Sequence, residues 1–166
     1  MMMWSAILVL FCCSCLWPTG ALAIAVTCGA ADDTTAVQGA LDGVRNGGVV
    51  TLPAGICRVR ALNGRDLVGV RIEGVTATAT QLRPLESDGI ILDLTAAADV
   101  TLSNFSIGNW NQGAAVPRVG LLTAQSDHTN PKSNVVHFDR LSIIGSFAWA
   151  TWLNLGGVSS TVMRSQ

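Results

Sequence analysis

Tyrosine is absent from this sequence, and lysine occurs once, as Lys132, among ten basic residues in 166. The arginines are scattered singly, the net charge is −1 and no basic stripe forms, which excludes nucleic acid as a main partner. Charge of either sign is scarce: 13% of residues are charged and 49% are apolar, which excludes a disordered chain. Large core side chains are few as well, whereas glycine occurs 17 times, a composition that fits an all-β, turn-rich domain. The apolar run Ile7 to Leu16 (ILVLFCCSCL) is too short for a spanning helix, which needs about 20 residues. Cys28 and Cys57 lack Cys-x-x-Cys spacing and His128 has no metal-spaced partner, so no metal and no cofactor are expected.

Trp17-Pro18-Thr19-Gly20 comes directly after the apolar run, and Ala21-Leu22-Ala23 after that. Ala-x-Ala behind a short apolar segment is the pattern cut by signal peptidase. The expectation is a signal peptide over residues 1–23, cleavage after Ala23, and a secreted, extracellular protein with no membrane attachment once cut. Met1 to Ser5 carries no Lys or Arg, so the amino terminus is its only positive charge, and an uncleaved anchor is the alternative. Cys15 has Cys12 where a bacterial lipoprotein has an aliphatic residue, so no lipid anchor is expected. Cleavage removes Cys12, Cys13 and Cys15 and leaves Cys28 and Cys57. An even count in a secreted chain predicts a Cys28–Cys57 disulfide, with two buried thiols as the other possibility.

Asp32-Asp33-Thr34 supplies cap-forming side chains, and Ala36, Val37, Ala40, Leu41 and Val44 form one apolar stripe at helical spacing. A helix over Thr34 to Arg45 is predicted, stopped by Asn46-Gly47-Gly48. From Val49 onward strand-like stretches alternate with Gly, Asn, Ser and Asp. They repeat. Val100, Leu102, Phe105 and Ile107 return as Val136, Phe138, Leu141 and Ile143, and Val70-Arg71-Ile72-Glu73 matches the start of the same unit. Ile90-Ile91-Leu92 returns as Leu121-Leu122-Thr123 and as Trp152-Leu153-Asn154. A period of about 30 residues made of strands and short turns predicts a stacked solenoid, with a sandwich ranked second. Asp127 to Ser133 reads as a loop projecting from one turn of it.

Cys28-Gly29-Ala30, then Asp32-Asp33-Thr34-Thr35-Ala36-Val37-Gln38-Gly39-Ala40-Leu41, then Gly47-Gly48-Val49-Val50-Thr51-Leu52-Pro53-Ala54-Gly55 resembles the N-terminal segment of pectate-lyase-like proteins. These include relatives of the family 28 polygalacturonases and many phage tailspikes. The resemblance implies an all-β fold: a right-handed parallel β-helix with a short N-terminal capping α-helix. It covers about residues 28 to 59; the rest matches only as a style of repeat. Together with the leader pattern and the repeat, it divides the chain into residues 1–23 (signal peptide), 24–48 (leading strand and capping helix) and 49–166 (rungs). The Lys-Gly-Asp-Gly-like loop usual between Gly-Ala and Asp-Asp is shortened here. Cys28 and Cys57 stand where the family often has aromatics.

Polygalacturonase-like members use clustered aspartates, a histidine and Arg-x-Lys on central rungs. This chain has no Arg-x-Lys, and its one Asp-Asp pair belongs to the helix start. No catalytic residue carries over. Strand alternation offers other candidates. With Val70, Ile72, Val100, Leu102, Val136 and Phe138 facing inward, Arg71, Thr101 and His137 align in one outward row and Glu73, Ser103 and Asp139 in the next. Glu73, His137 and Asp139 are therefore the catalytic candidates, with His137 oriented by Asp139. A solvated face with scattered charge is the plainer alternative. Trp110, between amides, is a candidate glycan contact, and Asn104 reads as a stacked turn residue. The last unit, Thr161 to Gln166, lacks counterparts of Phe105 and Ile107, so the β-helix is expected to be truncated at its C-terminus. Its open rung would self-associate or continue in further chain. The expected partner is a polysaccharide, bound by a portion that carries no catalytic centre of its own. A non-enzymatic carbohydrate-binding, adhesion or structural module is the alternative.

Overall fold

The computed structural model describes residues 21–86, 90–108, 119–124, 136–144 and 149–154. In chain order the described elements are β1 (Ala23–Ala25), α1 (Thr34–Gly43), β2 (Gly48–Thr51), β3 (Gly55–Val59), β4 (Leu62–Asn63), β5 (Val70–Glu73), β6 (Thr80–Pro84), β7 (Ile90–Asp93), β8 (Val100–Ser103), β9 (Ser106–Gly108), β10 (Val119–Ala124), β11 (Val136–Asp139), β12 (Ser142–Ile144) and β13 (Trp149–Asn154). The strands form three sheets, ordered β1-β2-β5-β8-β11, β3-β6-β9-β12 and β4-β7-β10-β13, and every pairing is parallel. From β2 on, the chain visits the first, second and third sheet in turn and then starts again. The described residues are thus mostly strands in parallel sheets, with one short helix among them.

Register carries the core. In the first sheet Val50 pairs with Ile72, Ile72 with Leu102, and Leu102 with Phe138. In the second, Cys57 pairs with Leu82, Leu82 with Ile107, and Ile107 with Ile143. In the third, Leu62 pairs with Leu92. Apart from Phe138 and Ile143, which are partly buried, these side chains are buried, and all of them belong to one apolar cluster with Leu52, Leu67, Leu94 and Phe105. Burying each large apolar side chain contributes about 1.5–3 kcal/mol. The repeat of residues 100–108 at 136–144 holds residue for residue, from Val100↔Val136 to Gly108↔Ile144. The third sheet differs from the sequence alignment. Leu121 pairs with Leu92, not Ile90, and Trp152 with Leu122, not Leu121.

The corners are built alike. Residues at positive φ recur at matching places: Asp66 and Ala96, Gly69 and Asp99, Asn104 and Arg140. Asn104 Oδ1 accepts a bond from Arg140 Nε at 2.6 Å, which ties two stacked corners together as the turn reading of Asn104 anticipated. Gly74 has no room for a side chain, because a Cβ there would strike the Asn104 carbonyl oxygen and Phe105 Cβ.

Helix α1 packs on β1, β3 and β4, the outermost strand of each sheet, and buries Val37, Ala40 and Leu41. It ends at Gly43, two residues before the expected Arg45, with Val44 N–H bonded to Leu41 O. Its start also departs from the expectation that both aspartates cap it. Asp32 Oδ1 accepts the Thr34 N–H at 2.9 Å and the Thr34 hydroxyl at 2.5 Å. Asp33 occupies the cap position without a side-chain capping bond. Its carboxylate turns the other way and accepts N–H groups from Gly29, Ala30 and Arg58. Nearby, the Cys28–Cys57 disulfide spans a Cα–Cα distance of 5.0 Å and joins the segment before α1 to β3.

Candidate functional site

The outward side of the first sheet is laid out by the register described above. Arg71 pairs with Thr101 and Thr101 with His137; Glu73 pairs with Ser103 and Ser103 with Asp139. The row Arg71, Thr101 and His137 keeps the outward side that strand alternation predicted, but the second row is broken: Ser103 is buried, between a partly buried Glu73 and an exposed Asp139. Two strand spacings separate Glu73 from Asp139, about 9–10 Å along the sheet. Inverting glycosidases hold their carboxyl groups about 6.5–9.5 Å apart. The local partners differ from the sequence reading. His137 Nε2 lies 3.9 Å from Asp99 Oδ1, so the described carboxylate within ion-pair reach is Asp99 and not Asp139. Asp139 Oδ2 instead meets Arg140 Nη2 at 2.7 Å, and Glu73 Oε2 lies 3.8 Å from Arg71 Nη1. The side chains of Glu73 and Asp139 are 32% and 55% exposed, far from the apolar pocket that a carboxyl needs to work as a general acid.

A groove of about 1180 Å³ reaches the β11 end of these rows, at His137 and Asp139. Thr76, Ala77 and Thr78, on the β5–β6 connection, line it together with Asn104 and residues 137–142, so that apolar Phe138 and Leu141 stand among the polar groups. Sequence reasoning missed the threonines and Arg140, although Asn104 and Arg140 occupy equivalent places in the repeat that it did find. Hydroxyl, amide, guanidinium, imidazole and carboxylate groups here offer both donors and acceptors, the chemistry that holds a polyol. Trp110 lies outside the described residues. Among the described residues no three His, Cys, Asp or Glu side chains gather as metal ligands, and no helix is long and apolar enough to cross a membrane.

Charge is organised differently at the helix end of the molecule. Arg60 bonds Asp32 through Nε at 2.9 Å and meets Glu86 through Nη1. The Thr34 hydroxyl, Arg60 and the Thr34 N–H hold the Asp32 carboxyl down to about 2. Arg65 Nε meets Asp93 Oδ2 at 2.7 Å. Partial burial pushes the Asp93 carboxyl up, but bonds from Thr95 and Arg65 outweigh it and leave the group below its ordinary value. These pairs tie the segment before α1 and the residues after β3, β4 and β6 to one another and to β7, and none of them lines the groove.

No family model matches the chain, and neither the curated proteins nor the solved structures gave a match.

Proposed function

We propose that this chain is a secreted, right-handed parallel β-helix of the pectate-lyase-like kind that binds polysaccharide along the outer face of its first sheet. The observation that carries this reading is the cyclic visit to three parallel sheets with side chains in register. A solenoid produces that order, since each turn adds one strand to each sheet. Helix α1 over the first strand of all three sheets fits a capping role. Polar groups at equivalent places on successive strands, Arg71, Thr101 and His137, ending at a groove that mixes polar and apolar residues, suit an extended ligand laid across the strands. Fold alone does not confer catalysis, and the exposed, arginine-paired Glu73 and Asp139 favour binding over bond cleavage.

The test uses secreted protein and a panel of acidic and neutral polysaccharides, read by affinity electrophoresis together with reducing-sugar and unsaturated-product assays. Retardation without product, weakened at least threefold in His137→Ala and Arg140→Ala, is the expected result. Product release that disappears in both Glu73→Gln and Asp139→Asn would replace the binding reading with a catalytic one. No retardation by any glycan would leave a structural role.

A further inference from the structure

The pattern Ala21-Leu22-Ala23 directs a leader cut after Ala23, yet the structure uses the residues on both sides of that bond. Strand β1 pairs Ala23 with Val49, Ile24 with Val50 and Ala25 with Thr51. The pairing extends beyond its ends: Val49 N–H donates to Leu22 O at 2.7 Å and Val26 N–H to Thr51 O at 2.9 Å. Two glycines make room for this segment. A Cβ on Gly48 would strike the Leu22 carbonyl oxygen, and a Cβ on Gly43 would come within 2.5 Å of Ile24 Cδ1. Ile24 itself packs against the apolar cluster. A cut after Ala23 would remove the acceptor of Val49 N–H and put a charged ammonium on Ile24, inside the sheet margin, where desolvation opposes it.

A second site lies two residues upstream. Thr19-Gly20-Ala21 also sets small residues at the two recognition positions, directly after Pro18. A cut there leaves Leu22 as the first residue, keeps its carbonyl for Val49, and places the new ammonium on a residue that is 52% exposed. We infer that the leader is removed between Ala21 and Leu22, and that the mature chain begins with the residue whose carbonyl opens the first sheet. This rests on the reading of the N-terminus as a cleaved leader.

The experiment expresses the full chain in a secreting host and reads the N-terminus of the released protein by intact mass and terminal sequencing. The expected N-terminus is Leu22. Ala23→Leu spoils a cut after Ala23 and leaves one after Ala21 intact, so this variant should be processed at the wild-type position with at least half the wild-type yield. Thr19→Asp places a charge at the upstream recognition position and should reduce correctly processed protein at least fivefold. An N-terminus at Ile24, or loss of processing in Ala23→Leu, overturns the assignment while the leader reading stands. Protein that keeps Met1 overturns the leader reading itself and the assignment with it.

Discussion

Asp33 accepts three backbone N–H groups while only 3% of the residue is exposed. Its replacement by alanine removes a charged acceptor from Gly29, Ala30 and Arg58; bonds to a charged group contribute about 1.5–3 kcal/mol each, and less where water can replace them, as at the exposed Gly29 and Ala30. Asp33→Ala should therefore lose about 3 kcal/mol in urea unfolding, and Asp33→Asn, which keeps one acceptor oxygen, clearly less. Asp32 has a different signature. Its carboxyl is held at about 2, below the ordinary 3.8, chiefly by the Thr34 hydroxyl and then by Arg60. A folded value below the unfolded one gives stability that is present above the unfolded value and lost as pH falls through the folded one. Asp93 shifts in the same direction. Melting temperature should thus fall between about pH 4 and pH 2. In Arg60→Gln, which releases part of the hold on Asp32, that fall should be shallower. The sequence showed where these acids sit but not what they hold. Both stand before a helix, where capping is the local expectation, and the Arg58 partner of Asp33 is 25 residues away.

At the scale of elements, the disulfide and the Asp33 carboxylate fasten the same short segment to β3. The cysteines are 29 residues apart, and closing a loop of that length stabilises by about 3–4 kcal/mol in the chain-entropy model. Cys28→Ser with Cys57→Ser should lower stability by about that amount in guanidinium unfolding, and reductant should then have no further effect. Helix α1 was legible from its stripe of Ala36, Val37, Ala40, Leu41 and Val44, of which all but the exposed Ala36 are buried. Its end was less so, because Val44 and Arg45 continue the pattern after the backbone has turned at Gly43. The third sheet was misaligned by two residues between β7 and β10, an error that alternation cannot detect because such a shift leaves every side chain on its own face. It was misaligned by one between β10 and β13, where a single slip exchanges faces.

For the molecule as a whole, the register of the two rows could be read in advance because alternation along a strand and a constant offset between strands are both sequence properties, but the burial of Ser103 within the second row could not. The contacts closing the site could not. His137 meets Asp99 and Asp139 meets Arg140 at the corners, where positive-φ residues turn the chain and periodicity stops. The Cys28–Cys57 bond also has a mechanical meaning. A tether pulling on the two ends loads the strand ladders one after another, but it cannot draw out the chain between the bonded cysteines. That separation of 29 positions would add about 100 Å of contour if free. In optical-tweezers stretching, total extension should grow by about that length once reductant is added. A chain anchored at one end and gripped at the other would keep its helix and the start of its first strands folded until the thiols were released.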